Sequence, residues 1–506
     1  MPHASQPQVA VVVGSGQLSS RRGGSDSPPG PLELLVEAAV AAAQDAGGSH
    51  VLQHIDTVVA VPIQHWQSNN PAAELASALG ITASRTVQTT PGGDIGVVAL
   101  NWMAQEIAAG RSKGALLVGA NVNRSFDLAQ RRGVELEFAG GSHPEPEIVG
   151  KWRSDGSSPQ ENEVGLDRPV YIYPVIENAL RAWRGQSLAE HRRFMGDLFT
   201  RFTAVAADNP YAWFPTQRSS EELADPTPDN RIIGFPYTKL LNAILSTDQA
   251  AAVVMLGSDT ATSARVNPDG WVHWWGGGAA TEAAWFVSQR PDLAYCPAMA
   301  QSHHAALRNA QVGVDDIAKF DFYSCFPAPV EMALRVMDLD PADSRGYTVT
   351  GGLPYAGGPG SAYTVHSLAA MYTQLRRSPH EIGMVTGNGW YLTKHSAAIF
   401  STDPPRAVRP CADTPELDEE GAKQAQPVPI RRGSGSGRID SYTVAHDRAG
   451  QPERGMVVGS FGDGTRFVAN TASDADVLAE LEAQEMVGRT GKVVDGGGPT
   501  LRFDLD

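Results

Sequence analysis

Apolar residues recur through the first quarter of the chain in two alternating rhythms. From Leu32 to Ala46 they fall at helical spacing (Leu32, Leu35, Val36, Ala39, Val40, Ala43). This segment runs into Ile55–Ala60, a continuous apolar stretch of the kind that forms a strand covered on both faces. Pro91-Gly-Gly-Asp94 then opens a second helical pattern reaching Ala109, followed by the apolar strand Ala115-Leu-Leu-Val-Gly119 and Asn121. The same order returns later. Ala298–Gln311 predicts a helix and Phe320–Tyr323 a strand; Gly351-Gly-Leu-Pro-Tyr-Ala-Gly-Gly-Pro-Gly360 opens an apolar helix, and a strand ends at Gly387-Asn388-Gly389. Gly93 corresponds to Gly358 and Asn121 to Asn388. Strands alternating with helices in one half used twice predict mostly parallel sheets with helices packed on them.

Other rhythms separate the remaining regions. Glu135–Asp167 is polar and rich in Gly, Pro and Ser, which predicts a long loop. Helical spacing resumes at Val175, Leu180, Trp183, Phe194, Leu198 and Phe202, and Asp248–Leu256 predicts the buried strand that closes the first half. Gly433-Ser-Gly-Ser-Gly437 ends a flexible stretch. Beyond it, short strands are expected at Ile439–Ala445, Gly455–Phe461, Thr465–Ala469, Gly491–Val494 and Thr500–Leu505, with a helix near Asp474–Gln484. Gly462-Asp-Gly464 makes a hairpin turn, and a small OB-like barrel fits the set. The expected organisation is a first α/β half (1–124 and 236–268), an inserted helical loop domain (125–235), a second half (269–401), a linker (402–437) and the barrel (438–506).

Composition narrows the function classes. The 506 residues, 42% hydrophobic and 19% charged, are ample for a large core in more than one domain. A formal net charge of −16 argues against nucleic acid and anionic membrane surfaces as partners. No run approaches bilayer-spanning length, and Val9–Val13 is too short for a signal core, so a cytoplasmic protein is expected. Cys296, Cys325 and Cys411 form neither a disulfide framework nor a metal-ligand spacing, so no metal is expected. Val11-Val-Val-Gly14-Ser-Gly16 begins like a dinucleotide fingerprint. Its third glycine position is Ser19, however, and no helix starts before Pro31, which sets nicotinamide chemistry aside.

The paired glycine turns carry the candidate chemistry. A glycine-rich turn feeding a helix presents backbone N–H groups to an anion or a developing oxyanion. With Gly351-Gly-Leu353, Gly357-Gly-Pro-Gly-Ser-Ala362, the duplicated halves and the helical insertion, residues 8–401 resemble the thiolase superfamily in its sterol-carrier-protein branch. Together with the C-terminal barrel the whole resembles thiolase-like protein type 1. The resemblance implies a thiolase-like α/β fold of duplicated halves. It places the family's nucleophilic cysteine at Gly93 and its Gly-His-Pro histidine at Gly358. The family's Asn-Glu-Ala-Phe motif falls on Tyr323-Ser-Cys-Phe326, and its final Cys-Gly on Thr386–Gly389, without cysteine.

A thiolase needs a thiolate with an activating base and a second acid/base for the α-carbon. Glycine supplies none of these, so ordinary thiolase activity is not expected. What the resemblance leaves is binding of CoA or an acyl-CoA thioester, not covalently held, against the backbone of Gly92, Gly93, Gly357, Gly358 and Gly389. Cys325, Tyr323 and Asn388 are the candidate catalytic residues. Each has a bland alternative: a buried hydrophobe, a core aromatic and a turn cap. His395 is expected in a solvent-facing loop, and His303, His304 and His366 on helices away from the pocket. The alternative function is a non-catalytic lipid carrier or a scaffold that holds a protein partner through the barrel, as monomer or homodimer.

Overall fold

A computed structural model describes residues 8–21, 28–151, 153–406, 425–497 and 500–506, so Cys411 and the middle of the expected linker lie outside the described residues. The first half runs β1 (Ala10–Ser19), α1 (Pro31–Asp45), β2 (Thr57–Ala60), α2 (Pro71–Leu79), β3 (Arg85–Thr89), α3 (Ile95–Ala108) and β4 (Gly114–Val122). The insertion follows with two long helices, α4 (Pro169–Arg184) and α5 (Leu188–Asp208), before β5 (Asp248–Gly257) completes the half. The second half runs β6 (Val272–Thr281), α6 (Pro297–Ala310), β7 (Lys319–Asp321), α7 (Pro327–Met337), α8 (Tyr363–Arg377), β8 (Ile382–Gly389) and β9 (Lys394–Ser401).

Strand order is β1-β5-β4-β2-β3 in the first half and β6-β9-β8-β7 in the second, the same order used twice except that β3 has no counterpart among the described residues. Val11 and Val12 pair with His273 and Val272, which joins the halves into one sheet. The expectation of mostly parallel sheets needs correction. β5 runs antiparallel to β1 and β4, and β9 antiparallel to β6 and β8; the parallel pairs are β2 with β3 and β4, β7 with β8, and β3 with the short edge strand Glu147–Val149. Chain length explains it for β8 and β9. Only Trp390–Thr393 connect them, enough for a hairpin, whereas a parallel pair needs a crossover of a dozen residues or more.

Helices α3 and α8 lie between the halves. Val97, Leu100 and Met103 of α3 and Val365, Leu368 and Ala369 of α8 share one core with Val253 and Met255 of β5 and Val385 and Ala398 of the second half. A helix covered on both sides is apolar nearly all round, as α3 is. The two helices meet closely at Gly96, whose N–H donates to Thr364 Oγ1 at 3.1 Å and whose absent β-carbon would stand 2.6 Å from that oxygen. Outside, α1 covers the other face of the first sheet through Leu34, Leu35, Ala38 and Ala42 against Val58, Leu116 and Val254.

The insertion is punctuated by capping boxes, Ser158 with Glu161 and Ser187 with Glu190, which satisfy helix-end N–H groups. Its apolar face buries Val175, Leu180, Leu198 and Phe202, as the spacing predicts. Trp183 departs from that pattern. It is half exposed, with the Arg335 guanidinium 4.0 Å above its ring.

The C-terminal strands β10 (Gly435–His446), β11 (Pro452–Phe461), β12 (Arg466–Asn470), β13 (Thr490–Asp495) and β14 (Leu501–Leu505) close in the order β10-β11-β12-β14-β13-β10, a five-stranded OB-like barrel with α9 (Ala475–Ala483) between β12 and β13. The barrel starts before the expected boundary. Gly435-Ser-Gly437 pairs with Val493, Lys492 and Gly491, because a β-carbon at Gly437 would meet the Phe467 ring at 2.6 Å and only glycine admits that approach. Ser441 and Asn178 tie the barrel to α4 through Val175 O and Tyr442 O. No helix among the described residues is long and apolar enough to cross a membrane.

Candidate functional site

Both glycine turns sit where the repeat places them, at the starts of α3 and α8. The second turn is held by Asp321 at the end of β7. Its buried carboxylate accepts from Val349 N at 2.8 Å and from the hydroxyls of Thr348 (2.9 Å) and Thr350 (3.0 Å). Gly351 follows at φ 102°, against Ala206 of α5; a β-carbon there would lie 2.5 Å from Ala206 Cβ, so the left-handed turn and the close contact both require glycine. Burial raises the Asp321 carboxyl, and the hydrogen bonds pull it back down. The two turns adjoin: Ser361 Oγ accepts from Gly92 N at 3.2 Å.

Tyr323 fills the space that a side chain at Gly93 would need. A β-carbon on Gly93 would stand 2.2 Å from Tyr323 Oη and 2.5 Å from Asn388 O. At Gly358 it would meet Ile244 O at 2.9 Å, the same carbonyl to which Gly358 N donates at 2.8 Å. Of the expected site residues, Tyr323 and Asn388 stand against Gly93, and Cys325 lies by the Tyr173 hydroxyl. They are joined by Tyr173 of α4, whose hydroxyl donates to Trp390 O and accepts from Asn388 Nδ2, both at 2.8 Å. Burial pushes the Cys325 thiol up to about 12, with the Tyr173 hydroxyl acting against it; the Tyr323 and Tyr173 phenols are also driven well up, first by burial. Every one of these groups is neutral near pH 7. Cys325 is therefore a protonated thiol in an apolar wall, with Tyr173 stacked on Phe326 at 4.5 Å.

A charged pair escaped the sequence reading. Lys394 Nζ lies 3.4 Å from Asp94 Oδ1 and donates to Pro91 O at 2.8 Å, while Ser396 donates to Asp94 O at 2.8 Å. Both ion-pair partners are buried, and burial raises the Asp94 carboxyl against the pull of Lys394. The available signal was the period-two alternation of β9, which sends Lys394 and Ser396 to one face and His395 to the other.

His395 requires a correction. It is buried in β9 rather than in an exposed loop, with Nε2 3.1 Å from the Cys296 thiol, which in turn donates to Glu282 Oε1 at 3.0 Å. The apolar run of β8 and β9 carries the histidine inward, and burial pushes it down to about 3. Burial also drives the Cys296 thiol well up, so the pair is neutral and inert as a nucleophile. His303 and His304 lie on α6 and His366 on α8, the helices expected; His366 and His303 are buried.

A groove of about 380 Å³ opens between the insertion and the second glycine turn. Phe214, Arg218 and Lys239 line its insertion side, and Ile244, Pro354 and Tyr355 the side that leads to Gly358. Its wall is apolar with two cations and two acids, Glu222 and Asp229.

Residues 416–497 match the family model of the thiolase-like protein type 1 additional C-terminal domain. The full chain is similar to a monomeric SCP2-thiolase-like protein type 1 from Mycobacterium smegmatis, at 32% identity and TM-score 0.83, covering 99% of this chain and 100% of that one. An acetyl-CoA acetyltransferase from Syntrophomonas wolfei (15% identity, TM-score 0.57, 78% of this chain and 100% of that one) shares the fold. So does the Ltp2-ChsH2(DUF35) aldolase (18% identity, TM-score 0.57, 79% of this chain and 99% of that one). No curated protein matches the chain.

Proposed function

Because the chain belongs to the SCP2-thiolase-like protein type 1 family, we propose that it binds CoA or an acyl-CoA thioester without performing ordinary thiolase chemistry. The observation that carries this reading is Tyr323 Oη in the space a side chain at Gly93 would take; the resemblance to thiolases supports it by implying Gly93 and Gly358 where that pattern has its nucleophile and its base. Glycine at Gly93 offers no thiolate, and the thiol of Cys325 is held protonated by burial. Binding is supported by the groove beside Gly358. Arg218 and Lys239 suit the phosphates of CoA, the exposed Phe214 ring suits its adenine, and the apolar floor at Ile244 and Tyr355 suits the pantetheine arm. Such a role belongs to lipid metabolism.

The test combines intact-protein mass spectrometry with a thiolysis assay. Wild type incubated with acetyl-CoA gains no covalent acetyl group, shows no thiolysis of acetoacetyl-CoA, and retains acetyl-CoA in a reversible complex that Lys239→Glu weakens at least tenfold. Covalent acylation of Cys325 overturns the non-catalytic reading. Absence of any complex, together with capture of a protein through the barrel, favours the scaffold.

A further inference from the structure

Away from the glycine turns, three buried side chains from three helices converge where the insertion packs on the second half. They are Glu177 of α4, His191 of α5 and Glu331 of α7. Their nearest donor atoms lie within 4.8 Å of one another, and no solvent reaches them. The histidine orientation is set from behind, with Nδ1 2.8 Å from Gln186 Oε1, an acceptor. Nδ1 therefore carries the proton, and Nε2 turns its lone pair toward Glu177 Oε1 at 2.5 Å and Glu331 Oε1 at 3.9 Å. Glu331 Oε1, fully buried, accepts no hydrogen bond. Nε2 and Glu177 Oε1 therefore share a proton, Glu331 Oε1 beside them has no partner, and the three donor atoms face one point where a cation can replace that proton.

We propose that Glu177, His191 and Glu331 bind a divalent first-row transition cation, zinc being the best match to one imidazole nitrogen and two carboxylate oxygens. The outer partners of a metal site are already in place. Tyr237 donates to Glu177 Oε2 and Arg184 Nε to Glu331 Oε2 at 3.3 Å, while Gln186 fixes the ring, so each donor atom is aimed inward. Magnesium and calcium are disfavoured, since they demand oxygen ligands and keep several waters, and this site is dry with a nitrogen donor. The cation pins α4 and α5 to α7. Tyr237 extends that pin: its hydroxyl accepts from Ala328 N at 3.2 Å, and its ring stacks on Phe326 at 5.5 Å, the ring on which Tyr173 also stacks. The metal is structural and holds the roof over Asn388 in position.

Without metal the point is occupied by the proton shared between His191 Nε2 and Glu177 Oε1. Binding therefore releases protons. The test is elemental analysis of full-length protein purified without chelator from cells grown with zinc, cobalt or manganese. The expected result is stoichiometric zinc, a cobalt form with visible ligand-field bands, and a Tm higher with metal than after chelation. Glu331→Gln is the decisive variant, because it keeps the shape of the side chain and removes one carboxylate ligand. It should fold with a metal-independent Tm and carry only traces of metal. Wild type free of all three metals overturns the proposal. So does a Glu331→Gln or His191→Gln protein that retains the full metal content, which marks adventitious binding elsewhere.

Discussion

At Gly93 the space for one β-carbon decides what the site can hold. Tyr323 Oη would stand 2.2 Å from it, so Gly93→Ala forces the partly buried phenol aside and should cost roughly 1–3 kcal/mol. Tyr323→Ala alone empties an aromatic-sized space at about 3–5 kcal/mol. The two changes share that space, so the double variant should be more stable than the sum of the singles predicts, as denaturant unfolding would show. Additive costs would mean that Tyr323 does not fill the position. Protonation supplies a second residue-scale outcome. Burial pushes His366 down to about 3, whereas in the unfolded chain it titrates near 6.5. Between those values the unfolded chain binds the extra proton, so this histidine's contribution is complete above pH 6.5 and is lost as pH falls, at up to about 1.4 kcal/mol per unit. Asp94, Asp321 and Glu331, whose carboxyls are raised, shift stability the opposite way. The test is therefore differential: from pH 7 to 4 the Tm of His366→Gln should fall less than that of wild type, and parallel curves would exclude the effect.

At the scale of elements, the barrel is bound to α4 by more than the backbone. Arg181 is buried, while its partner Glu485 is half exposed and meets it with both oxygens. Glu485→Gln leaves the guanidinium short of its counter-charge, a loss that solvent at the glutamate moderates to about 1–2 kcal/mol. Hydrogen exchange should quicken in Pro169–Arg184 and in β10 together; unchanged exchange would mean that the barrel stands without this contact. Elements with strong periodicity were legible from the chain: α1, α3, α6, α8 and all five barrel strands fall where the spacing puts them. What escaped depends on distance. Lys394 and Asp94 are 300 residues apart, and only the pairing of β9 beside α3 brings them together. The Glu177, His191 and Glu331 cluster draws on three helices with no ligand spacing in the sequence. Gly435–Gly437 reads as linker because its role, admitting the Phe467 ring, exists only once the barrel closes.

At the scale of the molecule, the duplicated halves were legible because each repeats turn, helix and strand in order. Strand direction was not, since it depends on how far the chain must travel to the next strand. The M. smegmatis relative is monomeric; light scattering of this 53.7 kDa chain decides between the monomer and the homodimer that its sequence leaves open. The reading proposed for the whole chain is a thiolase-like frame that holds a CoA thioester, with glycine at the nucleophile and base positions. Titrating acetoacetyl-CoA into the protein in the presence of CoA, inside a calorimeter, tests both parts at once. A saturable binding heat that returns to baseline after each injection is expected. A continuing heat of turnover, or no heat up to millimolar thioester, would contradict it.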